Sequence, residues 1–228
     1  MEPCLFEEFT GFSPKTFIFL KGLQTHNNKA WFEKHRQDYE QYLLDPMRRL
    51  VMQLGEFMLT IDGGFETTPA VNKTISRIYR DTRFSKDKSL FRANMWITFK
   101  QAVKDWQSKP AYFFELFPDS YRYGLGYYSA TPATMTKLRD KIDEGSKDFK
   151  TVFAQFQEQD VFTLAGDKYK RIFNPDHPPE ILEWYQRKNL YVVSNHSIEE
   201  TLFSVDLLDE LIISFQSISS LYHFLKSL

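Results

Sequence analysis

Residues 111–128 read Ala-Tyr-Phe-Phe-Glu-Leu-Phe-Pro-Asp-Ser-Tyr-Arg-Tyr-Gly-Leu-Gly-Tyr-Tyr. Two aromatic-rich runs flank Pro118-Asp119, a pair that favours a turn because proline presets φ and aspartate bonds its own backbone. Large aromatic side chains suit a pleated, half-buried surface. Residues 111–117 and 121–128 are therefore expected to form an antiparallel hairpin, with Gly124 and Gly126 weakening the second strand or marking a bulge. Just upstream, Met95-Trp96-Ile97-Thr98-Phe99 has the same β-branched and aromatic character. Downstream, Leu190-Tyr191-Val192-Val193 adds a further short strand.

Helical signals lie on both sides of this block. Ser13-Pro14 is a cap followed by a first-turn proline, ahead of Phe17 and Leu20. Asn27 or Asn28 caps a second helix, in which Trp31, Phe32, Tyr39, Tyr42 and Leu43 recur near helical spacing. Asp45-Pro46 is expected to cap a third, with Met47, Leu50, Leu54, Phe57 and Met58 along one face. Residues 62–69, rich in glycine and threonine, read as a loop. After the hairpin, Thr131-Pro132 starts a helix to about Glu144, Ser146 starts another, and Pro178-Pro179 opens one through Trp184. Residues 206–225 form the last helix. Strands and helices in separate blocks predict an α+β fold: an antiparallel sheet of a few strands in the middle of the chain, packed against helices from both ends. A single globular domain over residues 1–228 is expected.

Composition removes several classes. The chain has 228 residues with 29 basic and 30 acidic side chains, and it carries 22 Phe, 12 Tyr and 4 Trp. So many aromatics with so little net charge exclude a disordered chain. No window approaches the roughly 18 consecutive apolar residues of a membrane span. A single cysteine, Cys4, excludes an internal disulfide and a multi-thiolate zinc site, and its place near the terminus argues against a reactive thiol. Met1-Glu2-Pro3-Cys4 lacks the basic start of a signal peptide, so a cytoplasmic location is expected.

Charge is unevenly placed. From Lys73 to Lys104 nine basic residues face only Asp81 and Asp87, a net +7 in a chain whose total is −1. The segment Ser76-Arg77-Ile78-Tyr79-Arg80-Asp81-Thr82-Arg83-Phe84-Ser85-Lys86-Asp87-Lys88 is its centre. Arginine is permanently charged and presents forked donors that match phosphate and carboxylate oxygens. Three arginines at offsets 0, 3 and 6 thus predict a clamp of Arg77, Arg80, Arg83 and Lys88 for an anionic ligand. Asp81, four residues after Arg77, is placed to orient it. The competing expectation is an ion-pair network, with Asp81, Asp87 and acids of the C-terminal helix neutralising the arginines.

This segment resembles the signature R-x-x-R-D-x-R-F-x-x-x-K-x-x-Y of an uncharacterised family known as domain of unknown function 2461. The match runs over Arg77, Arg80, Asp81, Arg83, Phe84 and Lys88. The last position departs from it: Phe91 stands where the family has tyrosine, so this chain lacks that hydroxyl. The resemblance extends to Asn27-Asn28-x-x-Trp31-Phe32, to Tyr123-Gly124-Leu125-Gly126-Tyr127, to Leu138-Arg139 and to Gly166-Asp167-Lys168-Tyr169-Lys170-Arg171, and so spans nearly the whole chain. It implies the family's fold and a site at the arginine signature, and it brings no reaction.

Other motifs are sparse. His26, His35, His177, His196 and His223 show no two-histidine metal spacing, so no metal site is expected. Gly124-x-Gly126 lacks the third glycine of a dinucleotide fingerprint and reads as a hairpin bend. No phosphate-binding Walker loop and no nucleophile elbow occurs, and no cofactor is implied. Trp31 and the second asparagine before it are candidate ligand contacts, with core packing the plainer role for Trp31. Lys168, Lys170 and Arg171 form a second small basic group.

Three functions remain open. The first is an enzyme or binder of a phosphate-bearing small molecule, with Arg77, Arg80, Asp81, Arg83 and Lys88 as ligand residues and Asp81, or Asp87, the nearest candidate base. The second is a nucleic-acid-binding module using Tyr79, Phe84, Phe91 and Trp96 beside the cations, against which stands the pI of about 6.5. The third is a non-catalytic protein whose arginines only tie structural layers together.

Overall fold

The computed structural model describes residues 8–81, 83 and 86–228. Cys4 and Phe84, both singled out above, lie outside the described residues. The elements bear out the α+β expectation. Strands β1 (Met95–Phe99), β2 (Pro110–Leu116), β3 (Ser120–Tyr127), β4 (Thr163–Ala165) and β5 (Tyr191–Ser197) form one antiparallel sheet in the order β1-β2-β3-β5-β4. No helix among the described residues is long and apolar enough to cross a membrane.

Contacts divide the chain into two compact units. The first comprises Met1–Phe99, Phe113–Arg122 and Asn195–Ile213, and the second Lys100–Tyr112, Tyr123–Ser194 and Ser214–Leu228.

In the first unit, α1 (Pro14–Thr25) starts as the sequence predicts, and the Ser13 N–H donates to Thr16 Oγ1 at 3.3 Å. Helices α2 (Lys29–Lys34) and α3 (Arg36–Tyr39) follow. The expected fresh start at Asp45-Pro46 is corrected: a π-helical turn, Glu40–Leu44, leads without interruption into α4 (Asp45–Ile61). Asp45 does not act as a cap but pairs with Arg49, Oδ2 to Nη2 at 2.6 Å. Proline has no N–H to give the carbonyl four residues back, which here is that of Tyr42. The hydroxyl of Thr16, itself fully buried, donates to that carbonyl instead. A neighbouring helix thus repairs the ladder that proline opens. Met47, Leu50, Val51, Leu54 and Met58 form the buried face of α4.

Strand β1 alternates as a half-buried strand should, with Met95, Ile97 and Phe99 inward. The chain before it lies alongside: Ile75 bridges Ile97, and the Ser76 N–H donates to Trp96 O at 2.9 Å.

In the second unit, α5 (Pro132–Asp143) is capped by Thr131, whose Oγ1 accepts from Thr134 N at 3.0 Å. Helix α6 (Lys147–Gln157) is capped by Ser146 in the same way. Helix α7 (Pro179–Tyr185) begins at the proline pair. Strand β4, which the sequence did not signal, pairs antiparallel with β5, Thr163 opposite Val193 and Ala165 opposite Tyr191. Gly126 lies in β3 at a close approach: a Cβ there would lie 2.3 Å from that of Tyr191.

The single terminal helix is corrected to two, α8 (Asp206–Ser217) and α9 (Ser219–Ser227), separated by Ile218 at φ −105°, ψ 13°. The Ser217 hydroxyl donates to Ser214 O at 2.8 Å, the kind of local bond that competes with the helical ladder. The Tyr112 hydroxyl reaches Phe215 O at 3.4 Å, and the Tyr127 hydroxyl donates to Leu225 O at 2.6 Å. Burial pushes the phenol of each of these tyrosines upward, so both stay neutral donors.

Candidate functional site

The arginine segment is positioned by short antiparallel pairing. Tyr79 bridges Phe91, the Arg80 N–H donates to Leu90 O at 2.9 Å, and the Arg92 N–H donates to Ile78 O at 2.8 Å. A connection over residues 81–89 joins the two sides. Its base is fixed from a distance in sequence: Asn27 Nδ2 donates to Phe91 O and the Phe91 N–H donates to Asn27 Oδ1, both at 2.9 Å. The Phe91 ring is buried, stacked on Phe32 at 4.4 Å and packed on Tyr79 at 4.9 Å. The position that carries a tyrosine in the signature is therefore an apolar anchor here.

These contacts revise the roles of the asparagine pair. Asn28 is the cap of α2, accepting from Trp31 N at 3.0 Å. Asn27 is the clamp on Phe91. Trp31 lies between two imidazoles, with its ring 4.0 Å from that of His35 and 6.0 Å from that of His26.

The two acidic residues of the connection each fold it locally. Asp81 Oδ1 accepts from the Arg83 N–H at 3.2 Å and from Arg83 Nε at 3.0 Å, while Oδ2 accepts from Nη2 at 2.7 Å. The guanidinium of Arg83, then its backbone N–H, hold the Asp81 carboxyl well below the usual carboxylate range. Asp87 Oδ1 accepts from the Ser89 N–H at 2.9 Å, and Oδ2 lies 3.2 Å from Arg80 Nη2. The Ser89 hydrogen bonds, with the charge of Arg80 behind them, lower the Asp87 carboxyl as well.

The sequence-predicted residues are thus in different situations. Asp81 binds Arg83, not Arg77, which it had been expected to orient. Arg77 is exposed and forms no ion pair with any described residue, though its charge contributes to holding Asp81 ionised. The Arg83 side chain is 76% exposed, and Lys88 is exposed. Arg80 differs from both. Its side chain is only 27% exposed, and its Nε is buried with no hydrogen-bond partner among the described residues. The partners described for Arg80 and Arg83 come from the same connection, not from the acidic C-terminal helix.

Nearby, Arg92 lies over the Trp96 ring, 4.8 Å from its centroid. On β2 and β3, Glu115 is buried and accepts from Asn94 Nδ2 at 2.6 Å and from Arg122 Nε at 2.8 Å. Arg122 faces Glu115 across the hairpin, seven residues on, whereas Asn94 reaches it from 21 residues away, a partner that no local pattern marks. The Asx-type turns at Asp81 and Asp87 do have a local signal, an aspartate two residues before the amide it binds.

The remaining motifs resolve into structure. Arg139 donates to the carbonyls of Tyr185 at 3.0 Å and Arg187 at 2.9 Å, closing the end of α7 among the rings of Tyr169, Phe173 and Tyr185. Lys168 pairs with Glu183 at 2.6 Å. His177 and the Tyr185 hydroxyl both bond Asp143, each at 2.8 Å. His196 lies 3.1 Å from Glu199. No group of three or more acidic, histidine or cysteine side chains among the described residues is placed to hold a metal. An open depression of about 600 Å³ runs along α6, past Lys147, Lys150, Thr151 and Glu158, and involves none of the signature residues.

A family model for a conserved hypothetical protein (DUF2461) matches residues 15–224 of this chain. No curated protein matches it.

Proposed function

This chain belongs to the DUF2461 family, and from that premise we propose that residues 77–88 form a binding site for a phosphate-bearing small anion. Five cations, Arg77, Arg80, Arg83, Lys86 and Lys88, stand against Asp81 and Asp87 in this stretch, an excess of three positive charges. The observation that carries the reading is the state of Arg80. A half-buried, permanently charged guanidinium has, among the described residues, one ion pair, at 3.2 Å, and a buried Nε with no acceptor. Leaving such a donor unsatisfied is unfavourable, by about 1–3 kcal/mol for a typical group. An oxyanion seated on the Nε–Nη edge would remove that penalty. Arg77 and Lys88 add field, and Asp81 serves by positioning Arg83. A carboxylate held so firmly ionised is a weak proton acceptor, so the arrangement supports binding better than base catalysis by Asp81.

The test is a thermal-shift series with pyrophosphate, sugar phosphates and nucleotides on wild type and Arg80→Ala. Stabilisation of wild type that Arg80→Ala abolishes supports the site. If no anion stabilises the wild type, the reading fails. If Arg80→Ala merely lowers Tm and leaves the ligand response intact, the arginines are a structural network. Binding of RNA or DNA that collapses steeply with salt, without selectivity among small phosphates, would point to a nucleic-acid module instead.

A further inference from the structure

We propose that Asp87 is an internal stand-in for the ligand at Arg80, so that the site selects anions of two or more charges, phosphate monoesters and pyrophosphate, over carboxylates. This rests on the anion-site reading above and adds to it a ligand class and a built-in competitor.

The two aspartates hold their arginines in unlike ways. Asp81 grips Arg83 through both oxygens and also takes the Arg83 backbone N–H, so the two residues form one local knot. Asp87 comes nearest to Arg80 at Nη2, 3.2 Å from its Oδ2, and among the described residues no hydrogen bond to the Arg80 guanidinium accompanies the contact. The Asp87 side chain is 54% exposed, twice the 27% of the arginine it faces. Guanidinium groups bind oxyanions most strongly along one edge, through two parallel N–H···O bonds. Here one corner of the edge has a carboxylate charge near it, and Nε has no hydrogen-bond partner among the described residues.

Binding at this edge is an exchange of anions. A monocarboxylate that displaces Asp87 replaces like with like and gains little. A phosphate dianion or pyrophosphate brings a second charge and more oxygens into a stretch with three surplus positive charges. The released Asp87 stays tethered through Ser89, so it returns when the ligand leaves.

Asp87→Asn isolates this role. It keeps the oxygen that accepts the Ser89 N–H and turns the one beside Arg80 into an uncharged NH2 group, which leaves the guanidinium without its carboxylate. Titrations of the full chain with pyrophosphate, inorganic phosphate and acetate at constant ionic strength are expected to show pyrophosphate binding to wild type. Asp87→Asn should bind it about two- to fivefold tighter, the scale of an exposed ion pair. Acetate should bind Asp87→Asn measurably and wild type not at all. Asp81→Asn, which removes the same charge from the other knot, should not tighten binding. Equal pyrophosphate affinity in wild type and Asp87→Asn would overturn the stand-in role while leaving the anion site in place, and so would equal tightening by Asp81→Asn. If neither wild type nor Asp87→Asn, both folded by circular dichroism, binds pyrophosphate, the anion-site reading itself is lost and this inference with it.

Discussion

The carboxamide of Asn27 pairs with both backbone polar groups of Phe91, an N–H and a C=O, each at 2.9 Å. One side chain thereby imitates the exchange of hydrogen bonds between facing residues of an antiparallel ladder. The helical entry at Asn27-Asn28 is in this way tied to the far end of the arginine segment, and Phe91 seats its ring on Phe32 in the next helix.

Asn27→Ala should therefore cost more than a surface substitution. It leaves two half-buried backbone groups without partners, a loss of about 2–3 kcal/mol. Urea unfolding gives the number, and a change within about 0.5 kcal/mol would mean that water takes over both bonds. Asn27→Asp keeps the acceptor for the Phe91 N–H but sets a carboxylate against the Phe91 carbonyl, and should be no milder.

The repair of the Pro46 gap by Thr16 predicts a coupling. Thr16→Val removes the donor to the Tyr42 carbonyl and should destabilise by about 1–3 kcal/mol. Pro46→Ala supplies an N–H that can serve the same carbonyl. In the Pro46→Ala background Thr16→Val should cost clearly less, and a double-mutant cycle with no interaction energy would exclude this account.

Gly126→Ala should be among the most damaging single-methyl changes. The added carbon would meet the Tyr191 Cβ at 2.3 Å and its Cα at 2.4 Å, and backbone cannot swing aside as a long side chain can. Destabilisation of about 3 kcal/mol or more, read as a drop in Tm, is expected from overpacking. Tyr191→Gly in the same protein should not restore it fully, because the strand itself lies in the way.

Two pH limits follow from displaced titrations. Burial pushes the Tyr39 phenol up to about 12, and Tyr112 and Tyr127 rise with it. A raised phenol favours the folded state while neutral. Its contribution is whole below an unfolded value of about 10 and disappears as pH climbs through the folded value. Ultraviolet titration of the folded protein should show these phenolates late, near or with alkaline unfolding. In acid the sign reverses. Asp81, Asp87 and Asp143 have depressed carboxyls, so their contribution is present above about pH 4 and is lost as pH falls below it. Unfolding midpoints measured from pH 6 downward should decline most in that low range, and Asp143→Asn should flatten part of the decline.

What could be read in the sequence was what is local. The helix starts after Ser13, Thr131 and Ser146 and the turn at Pro118-Asp119 depend on residues within a few positions of one another, and each stands where its neighbours predict. The rest depends on partners that the chain brings from elsewhere. Asp45-Pro46 looks like a helix start, but a π turn and the hydroxyl of Thr16 let the helix run through it. The apolar rhythm of residues 206–225 continues across Ile218 although the backbone does not. Thr163-Leu164-Ala165 is too short to carry a strand signal, and only β5 makes it one. In the arginine segment the sequence marked the stretch, but spacing alone paired Asp81 with Arg77. The actual partner, Arg83, is two residues away, and the turn that Asp81 itself closes brings it back.

The placement of Trp31 between His26 and His35 gives the chain its own optical gauge. Emission from this tryptophan depends on whether the two rings keep their places beside it, only a few residues from the asparagine that anchors the cationic strand.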